Sequence, residues 1–285
     1  MINTILYNLK RRIILFLNNR HINEYLSKLY INEIHKKLKE TNKNLYALDG
    51  YKVYSQNDED GIIESIFKDI GITNKLFCEI GIGNAIENNT HNLILNNWTG
   101  LWIDINPKFI DKLKKKIKLK SKTLDLIISK ITPQNINNII KKSYQFNNIT
   151  EIDFLSIDID SYDLACIKEL EILSPRLICI EYNSKIRPKT KIKIKEITKF
   201  KWEYDDYFGS SLRTIDEVME KKGYKLIATN ITGSNAFYIK KKLIDLCKTK
   251  DQSLEDLYSP PNFELFNYNV THAPTNKYLI DKLNG

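Results

Sequence analysis

Two groups of residues in this sequence have the types and spacing to do chemistry. The first is Glu79-Ile80-Gly81-Ile82-Gly83, where an apolar run from Lys75 to Ile80 carries an acid near its end and runs into two glycines. The run has the length and β-branched content of a buried parallel strand. Glycine, lacking a Cβ, lets the chain turn sharply and approach a ligand. Strand–glycine–helix junctions of this kind bind nucleotides in open α/β sheets. Asp104 follows Gly83 by 21 positions at the end of the next apolar run, where a carboxylate can hold ribose hydroxyls. Glu79 would then stand near the polar end of the ligand. The dinucleotide fingerprint requires a third glycine at the position of Ile86, which disfavours a pyrophosphate cradle.

The second group is acidic. Asp158, Asp160 and Asp163 follow one apolar run, and Glu181 with Asn183 follows the next. If both runs are parallel strands, these ends open onto one edge of the sheet. Converging carboxylates must share a proton, raise a pKa or bind a hard cation such as Mg or Mn, and Asp158 with Glu181 is the candidate pair for a metal. A general base without metal, or helix capping by Asp160, would use the same residues. The four histidines, His21, His35, His91 and His272, have no zinc-site spacing. His91, close to the glycine turn, and His272, in a tail able to fold back, are alternative bases; a surface histidine is the plainer reading of each.

The elements needed to position these groups can be read from periodicity. Residues 1–48 are a basic helical extension: Ile2, Ile5, Leu6, Leu9, Ile13, Phe16 and Leu17 fall on one helical face, and Ile22, Leu26, Leu29 and Ile34 mark a second segment. Such a face calls for cover, by the main domain, a second copy of the chain or an anionic membrane surface. Residues 49–247 alternate strand and helix patterns, which means a mostly parallel sheet with helices on both faces. Asn57 is placed to cap the first of these helices, with Asp58, Glu59 and Asp60 in its positive first turn. Asn106-Pro107 and Thr132-Pro133 are cap–proline pairs opening later helices. Ser174-Pro175 closes the helix after the fourth strand. Tyr224–Ala228 and Ala236–Ile239, joined by Thr232-Gly233-Ser234, form a closing hairpin, so the last strand is antiparallel. The irregular stretch from Asn183 to Ser210 has the length of a functional loop. Residues 248–285 read as a wrapping tail.

Composition narrows the setting. The 285 residues carry a net charge of +9, which gives a general attraction to anions. Only six of the 44 basic residues are arginine, a bias that an AT-rich genome explains as well as a nucleic-acid partner does. The four cysteines form no CxxC pair and read as reduced core thiols of a cytoplasmic protein. No run approaches the ~20 apolar residues of a membrane span. The stretch Ile13 to Leu17 is too short for a signal-peptide core.

Several segments together carry a family resemblance. Tyr54-Ser55-Gln56-Asn57-Asp58-Glu59-Asp60-Gly61, Glu79-Ile80-Gly81-Ile82-Gly83, Glu87-Asn88-Asn89-Thr90, Gly100-Leu101-Trp102-Ile103-Asp104 and Asp153-Phe154-Leu155-Ser156-Ile157-Asp158-Ile159-Asp160 stand in the order seen in FkbM-like methyltransferases. Ile180-Glu181-Tyr182-Asn183 and Tyr207-Phe208-Gly209-Ser210-Ser211 continue the pattern. The resemblance spans roughly residues 52 to 241 and excludes the N-terminal helices and the tail. It implies a Rossmann-like α/β fold and S-adenosylmethionine (SAM) as cofactor, bound by Gln56, Glu79, Gly81, Gly83, Asn89, Asp104 and Asp158. It implies methyl transfer to a hydroxyl of a nucleotide-linked sugar or a capsule or lipopolysaccharide precursor, with Asp158, Asp160, Glu181 and Asn183 at the reacting end. The segment Ser156 to Tyr162 also resembles the Asp-x-Asp segment of metal-dependent macrolide-type sugar O-methyltransferases, but Tyr182 stands where those carry a second acid after strand five. Trp202, Tyr204, Tyr207 and Phe208 could stack on a sugar ring or pack in the core.

Two rival readings remain. A nucleic-acid methyltransferase suits the charge, but Ser259-Pro260-Pro261-Asn262 lacks the aromatic that would stack on a flipped base and lies far from strand four. A non-catalytic scaffold pairing through residues 1–45 would keep the fold without binding SAM. The expected partners are the sugar substrate, a second copy of the chain through the N-terminal helices, and peripheral contact with the inner face of a membrane.

Overall fold

The computed structural model describes residues 2–116, 123–159, 162–193, 206–266 and 275–284, with side chains from residue 22 onward. The chain opens with α1 (Ile2–Thr41) and continues through α2 (Glu59–Ile70), β1 (Leu76–Ile80), α3 (His91–Leu95), β2 (Thr99–Asp104), α4 (Pro107–Lys114), β3 (Leu124–Ile128) and α5 (Ile136–Ile140). There follow β4 (Glu151–Ile157), α6 (Asp163–Glu169), β5 (Ser174–Glu181), α7 (Leu212–Lys221), β6 (Tyr224–Thr229), β7 (Asn235–Lys240), α8 (Leu254–Leu257) and α9 (Lys277–Asn284). The strands form one sheet in the order β3-β2-β1-β4-β5-β7-β6. The first five are parallel, and β7 runs antiparallel to both neighbours. This is the Rossmann-like sheet expected from the alternation, including the antiparallel last strand.

Alternation along the strands decides what each side chain can reach. In β1, Leu76, Cys78 and Ile80 join the core under α5, α6 and α7. Phe77 joins the opposite core with Ile62, Ile66, Trp102 and Phe154. Glu79 has the parity of Phe77 and is therefore carried under α2 and α3. All four cysteines are free and buried.

The described segments correct several local expectations. α2 starts at Glu59 with Asp58 as its N-cap residue, and Asn57 does not cap it. Glu59 and Asp60 stand in its first turn as expected, and with Asp58 they are buried. Asn106 does cap α4, accepting the Lys108 N–H, but the residue before α5 is Asn135, three positions beyond Thr132. α6 ends at Glu169, and Ser174 and Pro175 lie within β5, opposite Glu151 and Ile152, so they do not close the preceding helix. The N-terminal region is one helix of 40 residues, about 60 Å long. Ile31, Ile34 and Leu38 pack on Ala47, Ile231, Leu265 and Phe266, while Ile22, Tyr25, Leu26, Leu29 and Tyr30 are exposed. The tail buries Leu254, Leu257, Leu279 and Leu283. Among the described residues, no helix is long and apolar enough to cross a membrane.

Candidate functional site

The carboxyl ends of the parallel strands open into a cleft of about 690 Å³, a size typical of small-molecule sites. Ile80 to Asn84 form one wall, Ile103 to Ile105 and Ser129 to Ile131 the next, and Asp158, Ile159, Tyr162 and Glu181 the far end. Ile80, Ile157 and Ile180 are aligned across β1, β4 and β5, so Asp158 and Glu181 leave neighbouring strands at the same height.

The two glycines of the turn have different tasks. Gly81 has φ 90° and donates its N–H to Ile103 O at 2.9 Å. A Cβ on it would lie 1.6 Å from the Asp158 carbonyl oxygen, so its bareness serves the contact between β1 and β4. Gly83 has φ 54°, and a Cβ on it would meet nothing within 4 Å, because that space is the cleft. Asp104 fixes this turn: one carboxylate oxygen accepts the Gly83 N–H at 2.9 Å and the other accepts the Asn106 N–H at 2.7 Å.

Gln56 overhangs the cleft from the loop before α2. That loop is shaped by the buried Asp60, whose carboxylate accepts the backbone N–H groups of Val53, Tyr54 and Ser55 at 2.7–2.8 Å and the Ser55 hydroxyl. The neighbouring Glu59 accepts from Asn57, Asn230 and Asn235, tying α2 to the β6–β7 turn. Asp58 receives the Ile231 N–H, and burial beside Glu59 pushes its carboxyl well above the usual range. These acids build the wall and do not face the ligand.

Six of the residues expected at the site line the cleft together: Gln56, Gly81, Gly83, Asp104, Asp158 and Glu181. Four others do not. Glu79 is buried behind the turn, where its carboxylate takes the Asn89 N–H at 2.8 Å, the Asn88 amide at 3.0 Å and both the N–H and hydroxyl of Thr90. Burial raises its pKa, and its role is to hold the 88–90 turn. Asn89 reaches inward to Ser156 Oγ at 3.0 Å. His91 is fully buried, stacked on Tyr54 at 3.9 Å between ring centroids, and burial lowers its pKa to about 4. Asn183 donates to Asp206 O and Phe208 O, pinning the start of the long loop to its end. Asp163, the third acid of its group, accepts the Ile159 N–H at 2.7 Å and shapes the turn into α6. Asp160, His272, Trp202 and Tyr204 lie outside the described residues.

Sequence reasoning missed Glu87, Asn84, Ser129, Lys130 and Tyr162 as cleft residues. Glu87 lies in the same segment as Asn89, and of the two it is Glu87 that lines the cleft. Lys52 bonds Glu87 at 3.0 Å and the Gln56 carbonyl at 2.8 Å, joining two loops over the cleft. Among the described residues, no three His, Cys, Asp or Glu side chains are arranged to hold a metal. Asp158 and Glu181 are two carboxylates of the cleft, and Asp160, the further acid of that segment, lies outside the described residues. Ser259, of the rival nucleic-acid motif, is buried against Thr229 and Tyr182 and lies outside the cleft.

The fold thus belongs to the Rossmann-like α/β class, with a ligand cleft at the carboxyl edge. No protein-family model and no curated protein matches the chain, so the resemblance to FkbM-like enzymes is one of motif residues alone. Solved structures similar to it include the methyltransferase domain of bacterial CtHen1-C, 14% identical over 65% of this chain and 97% of that one, with a TM-score of 0.40. A SAM-dependent methyltransferase from Clostridium acetobutylicum is 10% identical over 75% of this chain and 98% of its own, with a TM-score of 0.38. M. capricolum TrmK, solved with S-adenosyl-homocysteine, is 15% identical over 62% of this chain, with a TM-score of 0.36. This chain spans 65% of the TrmK chain.

Proposed function

We propose that the protein is a SAM-dependent O-methyltransferase acting on a sugar hydroxyl, in a nucleotide-linked sugar or a glycan precursor. The observation that carries this reading is the layout of one cleft. A bare glycine turn and a ribose-type acid stand at one end, and a pair of carboxylates at the other. Gly83 leaves room for the cofactor, Asp104 offers its carboxylate at the strand end, and Ile103, Ile131 and Ile159 supply apolar wall. Bound SAM supplies a methyl group already activated on its sulfonium. The chain's part is then to align the acceptor hydroxyl and take its proton. The Asp158 or the Glu181 carboxylate accepts that proton as the oxygen–carbon bond forms and the carbon–sulfur bond breaks. The products are a methyl ether and S-adenosyl-homocysteine. His91 has no part in this step, because it is buried away from the cleft.

Incubation of the protein with SAM and a panel of nucleotide sugars, followed by mass spectrometry, tests the reading; a one-methyl gain on one of them is expected. Asp158→Asn and Glu181→Gln are each expected to cut turnover, by ~100- to 10,000-fold for the proton acceptor. Both should still bind S-adenosyl-homocysteine by calorimetry. Full turnover in both variants removes the carboxylate pair from the mechanism. No cofactor binding by the parent protein rejects the reading and favours the scaffold.

A further inference from the structure

A second groove, of about 360 Å³, runs between α6 and α7 and meets the cleft at a shared wall, Tyr162. From Tyr162 and Ser210 at the sheet's carboxyl edge it extends about 9 Å along α6 to Lys168. Its charged lining is four lysines, Lys168, Lys193, Lys221 and Lys222, against a single acid, Glu217. That acid is already engaged by Lys191 at 2.5 Å. Lys222 is anchored, donating to the carbonyls of Lys168 and Leu170 at 3.0 Å, with Glu169 and Glu171 acting on it from the end of α6. Lys168 and Lys221 have no ion-pair partner among the described residues. The groove therefore holds a surplus of positive charge in a concave, partly apolar channel, and it leads to the carboxylates where methyl transfer would occur. A neutral acceptor would have no use for this surplus, whereas a phosphate or diphosphate would be held by it.

We propose that the groove between α6 and α7 binds the phosphate-bearing part of the acceptor, so that the sugar hydroxyl is delivered at Tyr162 beside Asp158 and Glu181. The inference rests on the methyltransferase reading and narrows its substrate to a sugar carrying a phosphate or diphosphate. A lipid-free nucleotide sugar satisfies this chemistry; a neutral glycan does not.

The test is calorimetric titration of uridine diphosphate into the full-length protein, with S-adenosyl-homocysteine titrated separately. The parent is expected to bind uridine diphosphate, less tightly as salt rises, and inorganic pyrophosphate should displace it. Lys168→Glu with Lys221→Glu should weaken that binding about tenfold or more. Lys37→Glu on α1, which reverses one charge at a distance, should leave it unchanged. The pair Lys168→Ala and Lys221→Ala serves if charge reversal impairs folding by circular dichroism. The proposal is overturned if uridine diphosphate fails to bind, if pyrophosphate fails to displace it, or if the Lys37 variant loses as much as the groove variants. Failure of the parent to bind S-adenosyl-homocysteine rejects the methyltransferase reading instead. Intact cofactor binding with no diphosphate binding rejects the groove alone.

Discussion

Gly81 and Gly83 sit two residues apart, yet a side chain at each should produce opposite kinds of damage. At Gly83 a valine enters the left-handed region at φ 54°, which costs about 1–2 kcal/mol for an L residue and somewhat more for a branched one. Nothing in the protein lies within 4 Å of the new Cβ, so no packing cost adds to this. At ~2–4 °C per kcal/mol for a chain of this size, Gly83→Val should melt roughly 3–8 °C below the parent and remain folded. Its isopropyl group stands in the cleft proposed for the cofactor, so S-adenosyl-homocysteine affinity should fall by at least about a hundredfold, or ~2.7 kcal/mol. At Gly81 even alanine puts a Cβ 1.6 Å from the Asp158 carbonyl oxygen. Relief requires the ends of β1 and β4 to part by more than an ångström, against the 3.0 Å bond from Asp158 N to Ile80 O and the 2.9 Å bond from Gly81 N to Ile103 O. Overpacking of backbone on backbone costs about 3 kcal/mol or more, so Gly81→Ala should lose ~6–12 °C whether or not ligand is present. Thermal melts with and without S-adenosyl-homocysteine, paired with calorimetry, separate the two. A folded Gly83→Val protein with parental affinity would refute the placement of the cofactor on this turn. A Gly81→Ala protein with an unchanged melting temperature would refute the β1–β4 contact.

Three further outcomes are expected. The folded-state pKa of His91, lowered by burial to about 4 from an ordinary 6.5, means that the unfolded chain binds the extra proton between those values. Stability from this residue is therefore present above pH 6.5 and lost as pH falls toward 4, by up to ~3 kcal/mol, and His91→Phe should flatten that part of a pH–stability curve measured by urea unfolding. An unaltered curve contradicts the burial of the imidazole. Arg176, buried and bonded to Asp153 at 2.7 Å and to the carbonyls of Ile70 and Gly71, should cost ~3–5 kcal/mol when changed to methionine; a loss below 1 kcal/mol would show that the pair is not sealed from water. Deleting residues 2–30 removes the exposed face of Ile22, Tyr25, Leu26, Leu29 and Tyr30 but spares the packed Ile31, Ile34 and Leu38. If a second copy of the chain covers that face, light scattering will show a smaller assembly, and an unchanged mass together with unchanged liposome binding rejects both proposed partners.

The order of strands and helices, the antiparallel closing hairpin and the positions of Gly83, Asp104, Asp158 and Glu181 could all be read from the sequence. Each of these follows from local pattern: apolar runs of strand length, helical repeats between them, and the rule that parallel strands deliver their carboxyl ends to one edge. What the linear pattern does not hold is which face a residue takes once its strand has neighbours. Glu79 opens the glycine-turn motif, but it shares the parity of Phe77 and is carried under α3, where four donors engage it. Asn89 and His91 follow it to that face, toward Ser156 and Tyr54. Asp58, Glu59 and Asp60 read as charges suited to a helix start; their burial comes from the β6–β7 turn and the loop before α2 closing over them, whose donors make it tolerable. The lysine groove assembles from α6, α7 and the strand-five loop, segments up to about 60 residues apart in the chain, so its charge becomes a site only when tertiary packing brings them side by side.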